Sequence, residues 1–134
     1  MLKVHGRCHC GAIRFEAEVD PARVTICHCT DCQVLTGTGW RASVPAEASA
    51  FVLQAGVPRE YVKTADSGRK RVHGFCGTCG TPIYSTTPGI PERYGLRVGC
   101  LDERAELAPQ RQIWCRSALP WSQRVDTLPA SSRE

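Results

Sequence analysis

The chain has 134 residues, of which 42% are hydrophobic and 22% charged, so it fits one domain and is too short for two ordinary ones. Its 12 glycines and 9 prolines provide turns but fall short of the share typical of disordered or collagen-like chains. No stretch approaches the roughly 18 consecutive apolar residues of a membrane-spanning helix, and the N-terminal sequence lacks the apolar segment of a signal peptide. We therefore expect a cytoplasmic protein without membrane contact.

Short strands separated by turns are the predicted pattern along the chain. Residues 12–18 alternate, so that Ile13, Phe15 and Ala17 share one face of a strand. Similar runs predict strands at 40–44, 51–54, 60–64, 71–75, 82–86 and 94–99. One short helix is predicted at about 30–35, with Gly37 as its stop. These elements predict a mainly β domain over residues 1–129, followed by a loose polar tail at 130–134.

Nine cysteines dominate the composition, and seven of them are clustered at Cys8, Cys10, Cys27, Cys29, Cys32, Cys76 and Cys79. Cysteines one or two residues apart rarely form a disulfide with each other, but they can bind one metal ion. The odd number and the reducing cytosol also favour free thiols. We therefore predict metal binding.

The first and last clusters together contain four cysteines: Cys8, Cys10, Cys76 and Cys79. Four sulfurs complete the tetrahedral shell of a structural zinc ion, and Gly80, which follows the second pair, allows backbone N–H groups to turn toward the sulfurs. A redox CxxC or an unoccupied surface pair are the alternatives. A redox CxxC usually opens a helix in a βαβ unit, and no such unit is predicted here.

The middle cluster places Cys27, Cys29 and Cys32 within six residues. Three protein ligands with an open fourth position are typical of catalytic zinc. In extended chain, His28 points away from Cys27 and Cys29, so it is not the natural fourth ligand. Two alternatives remain open: a structural site completed by Cys100, Cys115, His5 or His73, and a wiring that joins Cys8 and Cys10 to Cys27 and Cys29.

The net charge predicts little about partners. It is +4 with neutral cysteines, and falls to about +1 if seven thiolates hold two Zn²⁺ ions. We expect the basic residues 69–71 to lie in a solvated turn and not to bind nucleic acid, because aromatic residues are not interleaved with them.

Single residues outside the clusters are predicted to be mainly structural. We expect Trp40 to be a core aromatic residue, Cys100 and Cys115 to be small buried apolar residues, and Asp31 to favour the helix dipole rather than transfer protons.

The cysteine motifs resemble those of the glutathione-dependent formaldehyde-activating enzyme family. The resemblance extends over about residues 4–128 and rests on Gly6-x-Cys8-x-Cys10-Gly11, Cys27-His28-Cys29-x-x-Cys32, Thr36-Gly37 and Phe75-Cys76-x-x-Cys79-Gly80-Thr81. Ile113-Trp114, Pro120-Trp121 and Leu128-Pro129 are similar to the family's ending. Gln112 departs from it, because family members commonly carry a histidine there.

This resemblance implies a β-tent fold of small coiled antiparallel sheets with two zinc ions. The structural zinc would be held by Cys8, Cys10, Cys76 and Cys79, and the catalytic zinc by Cys27, Cys29 and Cys32. The implied reaction is of the carbon–sulfur lyase type and joins formaldehyde to glutathione.

Three thiolates and Zn²⁺ carry a net charge of −1, which weakens Lewis acidity and favours delivery of a substrate thiolate. Arg41, Lys63 and residues 69–71 could attract the carboxylates of glutathione. The rival function is a binding module in which both metals are structural, with residues 69–71 contacting nucleic acid or an acidic partner. A dithiol oxidoreductase would instead need CxxC thiols free of metal.

Overall fold

Ten strands and one α-helix form the regular structure of the chain, and the computed structural model describes residues 1–134. The strands are β1 Leu2–Arg7, β2 Arg14–Val19, β3 Thr25–Cys27, β4 Arg41–Glu47, β5 Val52–Ala55, β6 Arg59–Thr64, β7 Lys70–Phe75, β8 Pro82–Thr86, β9 Arg93–Arg97 and β10 Arg111–Ile113. The helix α1 covers Thr30–Thr36. The prediction of a mainly β protein with one short helix after the middle cysteine cluster is confirmed.

The strands form two sheets. The small sheet has the order β1-β2-β5, and the large sheet has the order β10-β3-β4-β9-β8-β7-β6. All neighbouring strands are antiparallel except β10 and β3, which are parallel. The parallel pair brings residues 111–113 beside residues 25–27, so Ile113 lies next to Cys27 of the middle cysteine cluster.

The two faces of the large sheet differ because successive side chains of a strand point to opposite sides. Val44, Leu96 and Tyr84 lie side by side on β4, β9 and β8. They belong to one buried apolar cluster together with Val4 and Phe15 of the small sheet. The core therefore fills the space between the sheets, and the opposite face of the large sheet is left to polar side chains.

The helix α1 is bounded by two caps. The Cys29 sulfur accepts a hydrogen bond from the backbone N–H of Cys32 at the N-terminus. Gly37 ends the helix with φ of 70°, a left-handed conformation that glycine adopts without steric cost. The predicted stop at Gly37 is confirmed. No helix of the protein has the length and hydropathy needed to cross a membrane.

The seven predicted strands are present, with ends shifted by one or two residues in most cases. The last of them ends earlier than predicted, because Val98–Cys100 form a 3-10 turn. Three strands were not predicted: β1, β3 and β10. β3 and β10 have three residues each, which is too short for a periodic signal, and Gly6 interrupts the apolar alternation of β1.

Candidate metal centres

Four thiols from two distant turns meet at one point. Cys8 and Cys10 follow β1, Cys76 and Cys79 follow β7, and the four sulfurs all lie within 4.8 Å of one another. The Cys10 sulfur lies 3.6 Å from that of Cys8 and 3.7 Å from that of Cys76. Bonds of about 2.3 Å to a tetrahedral zinc ion would place sulfurs about 3.8 Å apart. The spacing of the thiols therefore fits zinc.

Each of the two turns that carry these thiols is closed by a glycine, after three residues in the first turn and after four in the second. Gly11 donates to the Cys8 carbonyl at 3.1 Å, and Gly80 donates to the Cys76 carbonyl at 2.8 Å. Both glycines have φ of 80°, so each turn needs a residue that tolerates the left-handed conformation. The positive φ predicted for Gly80 is confirmed, and Gly11 adopts the same conformation in the first turn.

Hydrogen-bond donors surround the sulfurs of this cluster. The backbone N–H of Ile13 donates to Cys8 at 3.2 Å, and that of Cys79 lies 3.5 Å from the Cys76 sulfur. The Thr81 hydroxyl, 3.2 Å from the Cys79 sulfur, lowers the pKa of this thiol to about 5. Such donors stabilise thiolates, which are the form that binds a metal ion.

The second cluster contains three thiols. Cys27 ends β3, Cys29 caps α1 and Cys32 lies in its first turn, and their sulfurs are within 4.8 Å of one another. A hydrogen bond between Cys27 and Cys32 raises the pKa of the Cys32 thiol and lowers that of Cys27. Cys27 is therefore the first of this pair to ionise.

The structure decides between the wirings that the spacing left open. Cys8 and Cys10 group with Cys76 and Cys79, so the alternative that joins them to Cys27 and Cys29 is wrong. The four candidates for a fourth ligand of the second cluster, Cys100, Cys115, His5 and His73, do not join its three thiols. The Cys100 sulfur instead donates to the Arg97 carbonyl at 3.2 Å, and the His5 ring lies 2.6 Å from Glu103.

His28 lies on the opposite side of the strand from the neighbouring cysteines, as the alternation predicts. It is fully buried, and its Nε2 lies 2.7 Å from Oε1 of Gln112. Gln123 donates to the same oxygen at 3.0 Å, so His28 Nε2 is also a donor. Gln112 therefore holds His28 away from the thiols instead of adding a ligand to them.

A cavity of about 700 Å³ opens beside the second cluster, on the polar face of the large sheet. Cys27 and Cys32 lie in its wall. Of the 17 Lys and Arg residues of the chain, eight line this cavity, against the one carboxylate of Glu92. We call this cavity the cationic cleft.

Arg41 connects the cationic cleft to the thiols. It pairs in register with Cys27 across β3 and β4, and only 6% of its surface is exposed. Burial lowers the pKa of Arg41. The negative charges of the three thiolates, with that of Cys32 the strongest, raise it again in part. Arg41 therefore balances part of the negative charge of the cluster.

Asp31 and Lys63 form an ion pair at the edge of the cleft. Asp31 lies in the first turn of α1, as expected for a carboxylate that favours the helix dipole. Lys63 is largely covered, whereas more than half of the Asp31 side chain is exposed.

Three single-residue predictions were wrong. Trp40 is 37% exposed and lines two cavities, so it is not a core residue. Cys115 is exposed, whereas Cys100 is buried as predicted. Arg71 does not lie in a solvated turn, because β7 extends to Lys70 and directs Arg71 into the cleft, where it donates to Ser85 at 3.1 Å.

Comparison with known proteins gives consistent results. The model of the family described as glutathione-dependent formaldehyde-activating enzyme matches residues 3–117. A Halomonas elongata protein, provisionally named a glutathione-dependent formaldehyde-activating enzyme, is 25% identical over 115 residues, which are 82% of this chain and 73% of that protein. A crystal structure of a Rhodobacter sphaeroides protein superposes with a TM-score of 0.62 at 25% identity, covering 83% of this chain and 99% of the other.

Proposed function

Because the chain belongs to the glutathione-dependent formaldehyde-activating enzyme family, we propose that it makes or breaks the bond between the sulfur of a thiol such as glutathione and the carbon of an aldehyde such as formaldehyde. The observation that carries this proposal is the three-thiol cluster, two of whose cysteines, Cys27 and Cys32, lie in the wall of an open cavity. Three protein ligands leave a tetrahedral ion one position for a substrate.

We assign different roles to the two clusters. The four thiols of Cys8, Cys10, Cys76 and Cys79 suit a closed structural zinc ion, and the three thiols of Cys27, Cys29 and Cys32 suit a catalytic one. When bound at the second cluster, zinc would supply the positive charge that lowers the pKa of a substrate thiol.

The proposed reaction needs no oxidant or reductant. The thiol loses its proton, its sulfur forms a bond to the aldehyde carbon, the π electron pair of the C=O bond moves to oxygen, and that oxygen takes up a proton, so the product is an S-hydroxymethyl adduct. The reverse reaction releases thiol and aldehyde. The half-exposed Asp31 carboxylate lies near the cluster, but its ion pair with Lys63 favours a fixed orientation over proton exchange.

The residues of the cleft support the binding of an acidic thiol. Glutathione carries two carboxylates, and the cations beside the thiols would attract them before the sulfur reaches the cluster. Arg41 is positioned to attract the thiolate of the substrate, because it lies directly across from Cys27 of the cluster.

Cys29 is the residue of the second cluster whose loss tests catalysis. Cys29→Ser should lower the exchange rate between formaldehyde and its glutathione adduct by more than about 100-fold, because losing a metal ligand costs more than losing one of its outer partners. Exchange NMR with labelled formaldehyde measures this rate above the spontaneous reaction. Cys115→Ser, which removes an exposed thiol outside both clusters, is the matched control and should keep the wild-type rate.

Native mass spectrometry of the same samples separates this proposal from its rival. Two zinc ions in the wild-type protein, one in Cys29→Ser, and glutathione retained only with two would support the enzyme. Wild-type protein that holds two zinc ions but neither retains glutathione nor accelerates the exchange would instead favour a binding module with two structural metals.

A further inference from the structure

The floor of the cationic cleft, which we define by Ser43, Arg71, His73, Ser85 and Arg97, carries guanidinium groups that form no ion pair with a carboxylate. Lys63 pairs with Asp31 and Arg93 with Glu47. The other six cations of the cleft have no carboxylate within 4.0 Å: Arg23, Arg41, Arg69, Arg71, Arg97 and Arg111. Arg41 faces the thiols, and the charge of the Cys32 thiolate also acts on Arg97, whereas Arg71 has neither a carboxylate nor a thiolate beside it.

Arg97 is, with Arg41, one of the two buried cations of the cleft. It is 8% exposed and is held from two sides, donating to Ser43 at 2.9 Å and to His73 Nδ1 at 3.2 Å. Both partners are neutral. Burying a guanidinium group without a paired carboxylate lowers the free energy of unfolding, so this arrangement does not stabilise the fold.

The hydrogen bonds of the floor leave donors without acceptors. Because Arg97 donates to His73 Nδ1, the proton of the neutral imidazole lies on Nε2. His73 Nε2, Arg97 Nε and Arg41 Nε are all buried without a partner, and all three are N–H donors. Unpartnered buried polar groups are rare in proteins, and three of one kind around one cavity fit a missing acceptor.

Two hydroxyl groups add to these donors. Ser43 accepts from Arg97, and Ser85 accepts from Arg71 at 3.1 Å, so each hydroxyl still has its own proton to donate. Gly95 on β9 pairs in register with Ser85 and has no side chain to fill the space beside it. A Cβ atom there would lie 3.1 Å from the Ser85 oxygen.

From these groups we infer that the floor of the cationic cleft binds a phosphate-type dianion, with Arg71 and Arg97 as its counter-charges and Ser43, Ser85 and His73 as donors. Two guanidinium groups match a charge of about −2, and a tetrahedral phosphate offers three acceptor oxygens to donors from different strands. A planar carboxylate offers two oxygens and one charge.

The site lies in the same cavity as Cys27 and Cys32. If the second cluster is the catalytic centre, the thiol or aldehyde substrate of this protein carries a phosphate monoester. That extension rests on the proposed function, whereas the binding of phosphate itself does not.

The test is a titration of the purified, metal-containing protein with inorganic phosphate at constant ionic strength, followed by calorimetry. Arg71→Gln and Arg97→Gln should each weaken phosphate binding at least 10-fold. Arg14→Gln makes the same charge change on an exposed residue of the small sheet and should leave binding within twofold of wild type. Arg71 is only partly buried, so its variant remains informative if Arg97→Gln fails to fold.

Two results would overturn the inference. If Arg14→Gln weakened phosphate binding as much as the cleft variants do, binding would depend only on the net charge of the protein. Succinate binding as tightly as phosphate would mean that the floor accepts carboxylates, which suits glutathione. Zinc content and glutathione retention are measured on the same samples, so a failure of the proposed function is seen separately from a failure of the phosphate site.

Discussion

Single residues of the cationic cleft show how charge is distributed around one site. His73 lies on β7 among Arg97 of β9, Arg41 of β4, Lys63 of β6 and Arg71 of its own strand. Burial first, and then these positive charges, lower the pKa of His73 from 6.5 to about 4. The imidazole therefore stays neutral at neutral pH, and Arg97 can donate to its Nδ1.

This environment predicts a pH dependence of stability. The folded pKa of His73 lies below the unfolded one, so its contribution is fully present above about pH 6.5 and is lost as the pH falls toward 4. The free energy of unfolding of the wild-type protein should therefore fall more between pH 7.5 and 5 than that of His73→Gln. Urea unfolding at both values measures the difference, and parallel curves for the two proteins would refute the assignment.

In two pairs of neighbouring strands, a glycine on one strand faces an aromatic ring on the other. Gly6 on β1 pairs in register with Phe15, and Gly74 on β7 pairs with Tyr84 on β8. Each ring lies directly against the glycine opposite to it. A Cβ atom on Gly74, for example, would lie only 2.4 Å from the Tyr84 ring. The rings pack into the core between the sheets, and the glycines give them the space to do so.

This packing predicts an asymmetric response to alanine. Gly74→Ala should lower the free energy of unfolding by about 1–3 kcal/mol or more, because the buried ring must move. Gly99→Ala is the control, since a Cβ atom there would meet nothing within 4 Å and the residue needs no left-handed conformation. It should change stability by less than about 0.5 kcal/mol. Equal effects of the two substitutions in urea unfolding would show that the Tyr84 contact is unimportant.

At the scale of the whole molecule, the four-thiol cluster joins the two sheets. Cys8 and Cys10 follow β1 of the small sheet, and Cys76 and Cys79 follow β7 of the large one, 66 residues away along the chain. An ion at this point would close a long loop and fix the two sheets to each other, in addition to the apolar core between them.

We therefore expect loss of this ion to affect folding as a whole. Structural zinc contributes on the order of 10 kcal/mol in small domains, which is comparable with the total stability of a domain of this size. Cys76→Ser, or removal of metal by a strong chelator, should abolish the cooperative thermal transition seen by circular dichroism, whereas Cys29→Ser should retain it. A Cys76→Ser protein as stable as wild type would disprove the structural assignment.

Local features of this protein could be predicted from the sequence because they depend on neighbouring residues. The helix between Cys29 and Gly37, the strand at β8 and the positive φ of Gly80 follow from capping, alternation and turn preferences. The short strands β3 and β10 could not be predicted, because each is held only by its pairing with distant residues.

The sequence by itself therefore determined the cysteine motifs, the short helix and the mainly β character. Only the tertiary structure decided which thiols share a cluster and which cations share a cleft. Arg41, Arg71 and Arg97 are separated by about 30 residues from one to the next and show no common motif. They meet because β4, β7 and β9 lie in one sheet with these residues on the same face, and such register depends on pairing across the whole fold.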